Sequence, residues 1–146
     1  MRPLKLAGMF TLTASFLHIA IIFGGADWYR FFGAGEEMAT MSEQGSIYPS
    51  IITSIIVLLL AISSIYAISG AGVIRKVPFL KTILSLLTFA FLTRGLIGIP
   101  LVLFASSDYM TELATDMTFM IISSLICVLI GSCYGLGVLH IYSAKS

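Results

Sequence analysis

The sequence predicts an all-α integral membrane protein, a four-helix bundle formed by one domain of residues 1–146. Two observations support this prediction. The chain is 58% hydrophobic and only 10% charged, against roughly 25% charged residues in an average soluble domain, and its mean hydropathy is +1.05. Its apolar residues also form four long runs, each of which supplies the roughly 20 residues that a membrane-spanning helix needs.

The four predicted helices account for most of the chain. They comprise about residues 4–24, 49–72, 78–104 and 117–142. Pro49 and Pro78 each mark a helix start, because the first turn of a helix tolerates proline. Pro100 falls inside the third helix, where it removes a backbone hydrogen bond and predicts a kink.

The first apolar run resembles a signal peptide, because Arg2 and Lys5 precede it. It also contains polar residues that are unusual in the apolar region of a signal peptide, which favours an uncleaved first helix. These residues are Thr11, Thr13, Ser15 and His18.

Charged residues divide between the two predicted sides of the membrane. Apart from Arg94 and from Arg30, which is the only basic residue of the outer loops, the basic residues lie at both termini and at the turn between the second and third helices. The acidic residues lie in the other two loops, at Asp27, Glu36, Glu37, Glu43, Asp108, Glu112 and Asp116. By the positive-inside rule both termini are cytoplasmic and the acidic loops face outward. We therefore expect a multi-pass protein of the plasma membrane, which is the inner membrane in bacteria. The basic residues form no clustered face of the kind that nucleic acid requires.

The first outer loop, residues 25–48, has an aromatic half and an acidic half. The acidic half, residues 36–44, predicts a short helix on the membrane surface or over the mouth of the bundle. Gly33 and Gly35 separate the two halves. The aromatic half is typical of an interfacial belt, and it contains Trp28, Tyr29, Phe31 and Phe32.

The chain also shows an internal similarity. At an offset of 75, residues 12–17 match residues 87–92 at four of six positions, and at an offset of 70 residues 51–56 resemble residues 121–126. Two interpretations remain open. One is a tandem repeat of two helical hairpins, related by an axis along the membrane normal; the other is chance similarity between apolar segments.

Small residues at spacings of three and four predict where helices approach closely. Gly95 and Gly98 in the third helix allow a neighbouring backbone to come near. The second and fourth helices each have a face of small residues, which suits packing within the chain or against a partner subunit. These faces comprise Ser64, Ala67 and Ala71 in the second helix, and Ser124, Cys127, Gly131 and Gly135 in the fourth.

Arg94 is the most informative residue, because it lies in an apolar run while every acidic residue lies outside such runs. Counted from the inner helix ends, Arg94 sits roughly 21 Å and His18 roughly 18 Å outward in a hydrocarbon core of about 30 Å. His18 shares a helix face with Thr11 and Ser15, which argues that this face points inward. The sequence thus predicts an outward-facing polar pocket. Its expected ligand-binding residues are Arg94, His18, Glu36, Glu37, Trp28 and Ser15.

Two roles for Arg94 remain open, a structural tether to a loop carboxylate and an anion-binding group. The leading hypothesis is a protein that binds an anionic lipid head group or small molecule, or serves as an accessory subunit of a larger membrane complex. The alternative is a small proton-coupled transporter or efflux protein that works as a homo-oligomer. Its titrating group would be His18, or Glu36 or Glu37 folded into the bundle, because no carboxylate lies within a predicted helix.

The sequence favours a non-enzymatic role without a cofactor or metal. His18 and His140 lie too far apart along the membrane normal to ligate one haem. Zinc needs three or four clustered ligands, which two distant histidines do not provide. Residues 131–135 match the spacing of a nucleophile elbow, but that motif works only at a strand-to-helix turn.

Overall fold

The structure, a computed structural model, describes residues 1–104 and 117–144. These residues form six helices and no strand. They are α1 (Arg2–Gly24), α2 (Ala26–Phe31), α3 (Glu36–Glu43), α4 (Tyr48–Gly70), α5 (Leu80–Phe104) and α6 (Met117–Ser143). Four of them, α1, α4, α5 and α6, are long and apolar enough to cross a membrane. The helices therefore suggest a multi-pass membrane protein, as predicted.

The long helices begin and end within two residues of the predicted positions. Pro49 lies in the first turn of α4, and Pro100 lies inside α5. Pro78 precedes α5 by two residues instead of starting it. The predicted surface helix is present as α3, and Gly33 and Gly35 separate it from α2 with φ angles of 72° and 99°, which favour glycine.

The long helices pack mainly as two pairs, α1 with α4 and α5 with α6, and α1 also packs on α6. Although a short turn joins α4 to α5, these two helices contact each other much less. In that turn the Ser69 hydroxyl donates to the Arg75 carbonyl oxygen at 2.9 Å and accepts from the Val77 N–H at 3.1 Å. The internal repeat stays a prediction.

Small residues bring the paired helices close together, as the sequence indicates. A Cβ atom at Gly131 would lie 3.0 Å from a backbone nitrogen of α5, and one at Gly95 would lie 2.9 Å from the Ser124 carbonyl oxygen of α6. In the other pair, the Ser64 hydroxyl donates to the Gly8 carbonyl oxygen at 2.8 Å. The small-residue faces are thus occupied by the chain's own helices.

The larger apolar core lies toward the end of the bundle that contains the 71–79 turn, which we call the turn end. At its centre the Tyr134 hydroxyl donates to the Ser63 carbonyl oxygen at 2.9 Å and lies 3.4 Å from the Thr11 hydroxyl oxygen. One buried tyrosine therefore connects α6 to α4 and α1. The core comprises Leu4, Ala7, Ala67, Leu84, Ile130, Cys133 and Tyr134.

A smaller cluster forms the opposite end, which contains α2 and α3 and which we call the loop end. Ile21 of α1 packs there with Tyr29 of α2 and Ala39 of α3. These contacts fold the two short helices against the bundle. The space between the two clusters is where the polar residues of the long helices meet.

Candidate functional site

A cavity of about 570 Å³ lies at the loop end of the bundle, and we call it the loop-end cavity. All six helices contribute to its lining, which is mostly apolar. Its volume falls within the range of roughly 300–1,000 Å³ that is typical of small-molecule sites. The lining residues are His18, Ile21, Tyr29, Phe32, Gly33, Ala34, Met38, Tyr48, Ile52, Thr53, Ile56, Arg94, Phe119, Met120, Ser123 and Cys127.

Arg94 supplies the positive charge of this cavity. Its Nη1 donates to the Ser124 hydroxyl and its Nη2 to the Ser123 hydroxyl, both at 3.4 Å. These distances are long for N–H···O hydrogen bonds. Within residues 1–104 and 117–144 Arg94 forms no ion pair, since the pairs found there all belong to Arg30. The predicted tether partners Asp108 and Glu112 lie outside the described residues.

Gly98 makes room for the Arg94 guanidinium. It lies one helical turn after Arg94 in α5, and a Cβ atom there would overlap Nη1 of Arg94 and lie 3.3 Å from the Ser124 hydroxyl oxygen. The side chain of Arg94 therefore runs along the surface of its own helix toward α6. The small-residue pattern predicts only a close backbone approach at Gly98, although its spacing of four from Arg94 is the signal for this second role.

His18 of α1 lines the same cavity. Its Nδ1 lies 2.7 Å from the Ala14 carbonyl oxygen. Because a carbonyl oxygen only accepts hydrogen bonds, Nδ1 has a proton, so in a neutral ring the lone pair lies on Nε2. The helix face of His18 points inward as predicted, since Thr11 and Ser15 are both buried.

Ser15 lies in the interface between α1 and α4 and is not among the lining residues of the cavity. Its hydroxyl donates to the Val57 carbonyl oxygen at 3.0 Å. The role of Ser15 in this structure is therefore to connect two helices, next to the site and one turn away from His18.

Tyr29 lies inside the protein, whereas the aromatic pattern of the loop predicts a position in an interfacial belt. It is 1% exposed, and its hydroxyl accepts a hydrogen bond from Thr53 at 3.3 Å. This inward position follows from Gly25, whose φ of 70° turns the chain between α1 and α2. The hydroxyls of Tyr29 and Thr53 thus form a second polar patch in the cavity wall. No sequence signal separates Tyr29 from its aromatic neighbours.

Trp28 keeps the outer position that an interfacial residue requires. It is exposed, and its ring centroid lies 5.8 Å from that of Phe32. Trp28 lines a second, smaller hollow with Asp27, Phe31 and Phe32 and does not line the loop-end cavity. Phe32 lines both the smaller hollow and the loop-end cavity. In the cavity it packs edge-on against Phe119.

An ion-pair network holds α2 and α3 together over the cavity. Arg30 donates to the Glu36 carboxylate from Nη2 at 2.6 Å and from Nε at 2.8 Å, and to Glu43 from Nη1 at 2.7 Å. Hydrogen bonding to Arg30 lowers the pKa of the Glu36 carboxyl, and the same bonds raise the pKa of Arg30. Glu36 is therefore held by Arg30, and neither Glu36 nor the exposed Glu37 lines the cavity.

The loop-end cavity thus combines a guanidinium, an imidazole and hydroxyl groups with an apolar wall. In the described part of the chain no three His, Cys, Asp or Glu side chains cluster in a way that could hold a metal ion. Comparison with protein-family models, curated proteins and solved structures finds no match for this chain. Chemically, the polar groups can bind an anionic or hydrogen-bonding group while the apolar wall contacts the rest of the molecule.

Proposed function

We propose that this chain is a small plasma-membrane protein, of the bacterial inner-membrane type, that binds an anionic lipid head group or small anionic molecule in the loop-end cavity. Arg94 is the observation on which this proposal rests. Its described partners are two neutral hydroxyls at 3.4 Å. A charged side chain within a membrane is costly unless it is paired, and an anionic ligand would place an opposite charge beside the guanidinium.

The apolar wall determines the rest of the ligand. Ile52 and Ile56 of α4 face the cavity together with Phe119 and Met120 of α6. Burial of apolar surface on binding stabilises a complex roughly in proportion to the area that is removed from water. An amphiphile, with its anionic group near Arg94 and its apolar part along this wall, matches both halves of the lining.

The orientation of the protein follows from its charges. The turn end contains Arg75 and Lys76, whereas the loop end contains all four acidic residues that the structure describes, Asp27, Glu36, Glu37 and Glu43. By the positive-inside rule the termini lie in the cytoplasm and the loop-end cavity opens toward the outer face. A ligand would therefore come from the outer leaflet or the outer aqueous phase.

Native mass spectrometry of the purified protein tests this proposal. The protein is mixed with phosphatidylcholine, phosphatidylglycerol and phosphatidic acid, and the retained lipids are identified. We expect an anionic lipid to be retained by the wild type and to be bound at least about tenfold more weakly by Arg94→Gln, because that change removes a charge-assisted hydrogen bond. The matched control is Arg75→Gln, which removes an exposed cation of the turn end and should leave binding unchanged.

Folding of the Arg94→Gln protein separates the two roles of this residue. A variant with native circular dichroism and no anionic lipid supports the binding site. A variant that fails to fold supports the tether. In that case Arg94→Lys, which keeps the positive charge, should restore both folding and binding if the charge alone is required. A folded Arg94→Gln protein that retains anionic lipid as tightly as the wild type would overturn the proposal.

The second candidate function is proton-coupled transport by a homo-oligomer, and the position of His18 favours it. Its imidazole lines the same cavity as Arg94, and an imidazole nitrogen can accept and release a proton. Transport predicts substrate-dependent proton flux in liposomes that disappears in His18→Ala. Flux that is unchanged by this substitution would contradict transport. A role as accessory subunit has less support, because the small-residue faces are already occupied within the chain.

A further inference from the structure

Resting on the proposed function, we infer that the loop-end cavity binds a phosphate monoester together with one proton, in preference to a phosphodiester or a carboxylate. The group in question bears two negative charges at neutral pH, since the second ionisation of a phosphate monoester has a pKa of about 6. Its source is either a lipid with a monoester head group or free phosphate, which share this chemistry.

The Nδ1 nitrogen of His18 is hydrogen-bonded within its own helix. The 2.7 Å contact between Nδ1 and the Ala14 carbonyl oxygen places the proton of the neutral ring on Nδ1. The other nitrogen, Nε2, then accepts a hydrogen bond in the neutral ring and donates one only in the charged ring. A ligand that meets Nε2 must therefore either bring an O–H group or leave a proton on the ring.

The charges in the cavity balance when a phosphate monoester binds together with one proton. Arg94 contributes one positive charge to the cavity, and a phosphate monoester contributes two negative charges. One proton shared between the ligand and His18 Nε2 brings the sum to zero, whether the proton lies on oxygen or on nitrogen. A neutral sum is favoured because charge is costly in a low-dielectric environment.

A phosphodiester or a carboxylate fits this site less well. Either ion has a single negative charge and no O–H group at neutral pH. Against neutral His18, an ionised oxygen would face the Nε2 lone pair without a hydrogen between them. Against protonated His18, the site would keep a net positive charge, because Arg94 alone already balances a monoanion. Both arrangements cost binding free energy that the monoester avoids.

The other lining groups that the structure describes do not change this balance. Among residues 1–104 and 117–144, the titratable side chains that face the cavity are His18 from α1, Tyr29 from α2, Tyr48 from α4, Arg94 from α5 and Cys127 from α6, while α3 contributes Met38. None of these described lining residues is a carboxylate. The proton that accompanies the ligand is thus held between the ligand and His18.

Calorimetric titration of the full chain in phosphatidylcholine nanodiscs at pH 7.5 tests the inference. The probes are octyl phosphate, methyl octyl phosphate and octanoate, which share an alkyl chain and differ in head group. We expect octyl phosphate to bind at least about tenfold more tightly than the other two, which is the contribution of one hydrogen bond to a charged group. His18→Leu should abolish this preference, and His18→Gln, which keeps an acceptor and a donor, should retain part of it.

The outcomes separate the inference from the proposed function. Equal affinities for octyl phosphate and methyl octyl phosphate would overturn the monoester inference and leave anion binding intact. Binding of all three probes that is unaffected by Arg94→Gln would overturn the proposed function itself. Inorganic phosphate that binds as tightly as octyl phosphate would support the monoester chemistry with the free ion as its source. Weaker binding of inorganic phosphate, with the octyl phosphate preference retained, would support a lipid source.

Discussion

Gly98 lies one helical turn after Arg94 in α5, and the Nη1 nitrogen of Arg94 occupies the space that a Cβ atom of residue 98 would need. The glycine thus determines where the cavity's positive charge lies. Because the contact involves the end of a flexible side chain, a larger residue 98 would move the guanidinium without forcing the backbone apart. Folding and ligand binding therefore respond differently to substitution at this position.

Gly98→Ala should separate these two responses. We expect the free energy of unfolding to stay within about 1 kcal/mol of the wild type, since alanine favours a helix by about that amount over glycine. We expect the affinity for octyl phosphate to fall about tenfold, as one displaced charge-assisted hydrogen bond predicts. Calorimetric titration measures the affinity. An unchanged affinity would show that Arg94 does not contact the ligand from its observed position.

Gly95 differs from Gly98 because two of its near neighbours in α6 are backbone atoms. A Cβ atom at Gly95 would lie 2.8 Å from the Val128 nitrogen and 2.9 Å from the Ser124 carbonyl oxygen. Gly95→Ala should therefore push α5 and α6 apart and destabilise the protein by about 1–3 kcal/mol, measured as a lower melting temperature in detergent. Gly135→Ala in the same helix pair is the control, because its Cβ would meet only the Thr88 side chain at 3.2 Å. Equal melting temperatures for the two variants would contradict the prediction.

Tyr134→Phe should destabilise the bundle by about 1 kcal/mol, because it removes a buried hydrogen bond at little change in volume. The lost bond is the 2.9 Å contact to the Ser63 carbonyl oxygen. Thermal unfolding followed by circular dichroism measures the change. Tyr66→Phe is the matched control, since the Tyr66 hydroxyl has no hydrogen-bond partner among the residues that the structure describes, and it should melt with the wild type.

The Arg30 network predicts a dependence on pH at the loop end. The folded pKa of Glu36 is lowered by its hydrogen bonds to Arg30. The network therefore stabilises α2 and α3 fully above the unfolded pKa of about 4.3, and this stabilisation is lost as the pH falls through the lower folded value. Fluorescence of Trp28, the single tryptophan of the chain, should be constant above about pH 5 and change below about pH 4.

Substitutions in the network test the origin of this transition. Glu36→Gln should remove the pH dependence, and Arg30→Gln should give the low-pH signal at every pH. Glu37→Gln is the control, because Glu37 is exposed and forms no ion pair in the described ranges. An identical transition in wild type and Glu36→Gln would assign the pH response to another group.

The long helices were predictable because each one needs the same simple signal, a run of about 20 apolar residues. Pro49 marks the start of α4 for a local reason, its restricted φ. The presence of Arg94 and His18 at one cavity agrees with counting residues, since both lie at similar distances from the turn end of their helices. Whether these residues bind a ligand stays a prediction.

The details around the cavity depend on contacts that no local pattern specifies. The direction of Tyr29 follows from the turn at Gly25, and the capture of Glu36 by Arg30 follows from the way α3 folds back beside α2. The sequence pattern therefore predicts Glu36 in the site and Tyr29 at the membrane interface, whereas Tyr29 lies in the cavity wall and Glu36 in an ion pair. Such positions depend on tertiary structure more than on residue type.

The pairing of the helices bears on how the protein is made. Since α1 packs on α4 and α5 on α6, the first pair is complete while the ribosome is still synthesising the second. Chains emerge from the N-terminus and commonly fold unit by unit, so a nascent chain that ends at residue 70 already contains the main contacts of its first half. The loop-end cavity is lined by residues of both pairs, so it can form only after α6 has been synthesised.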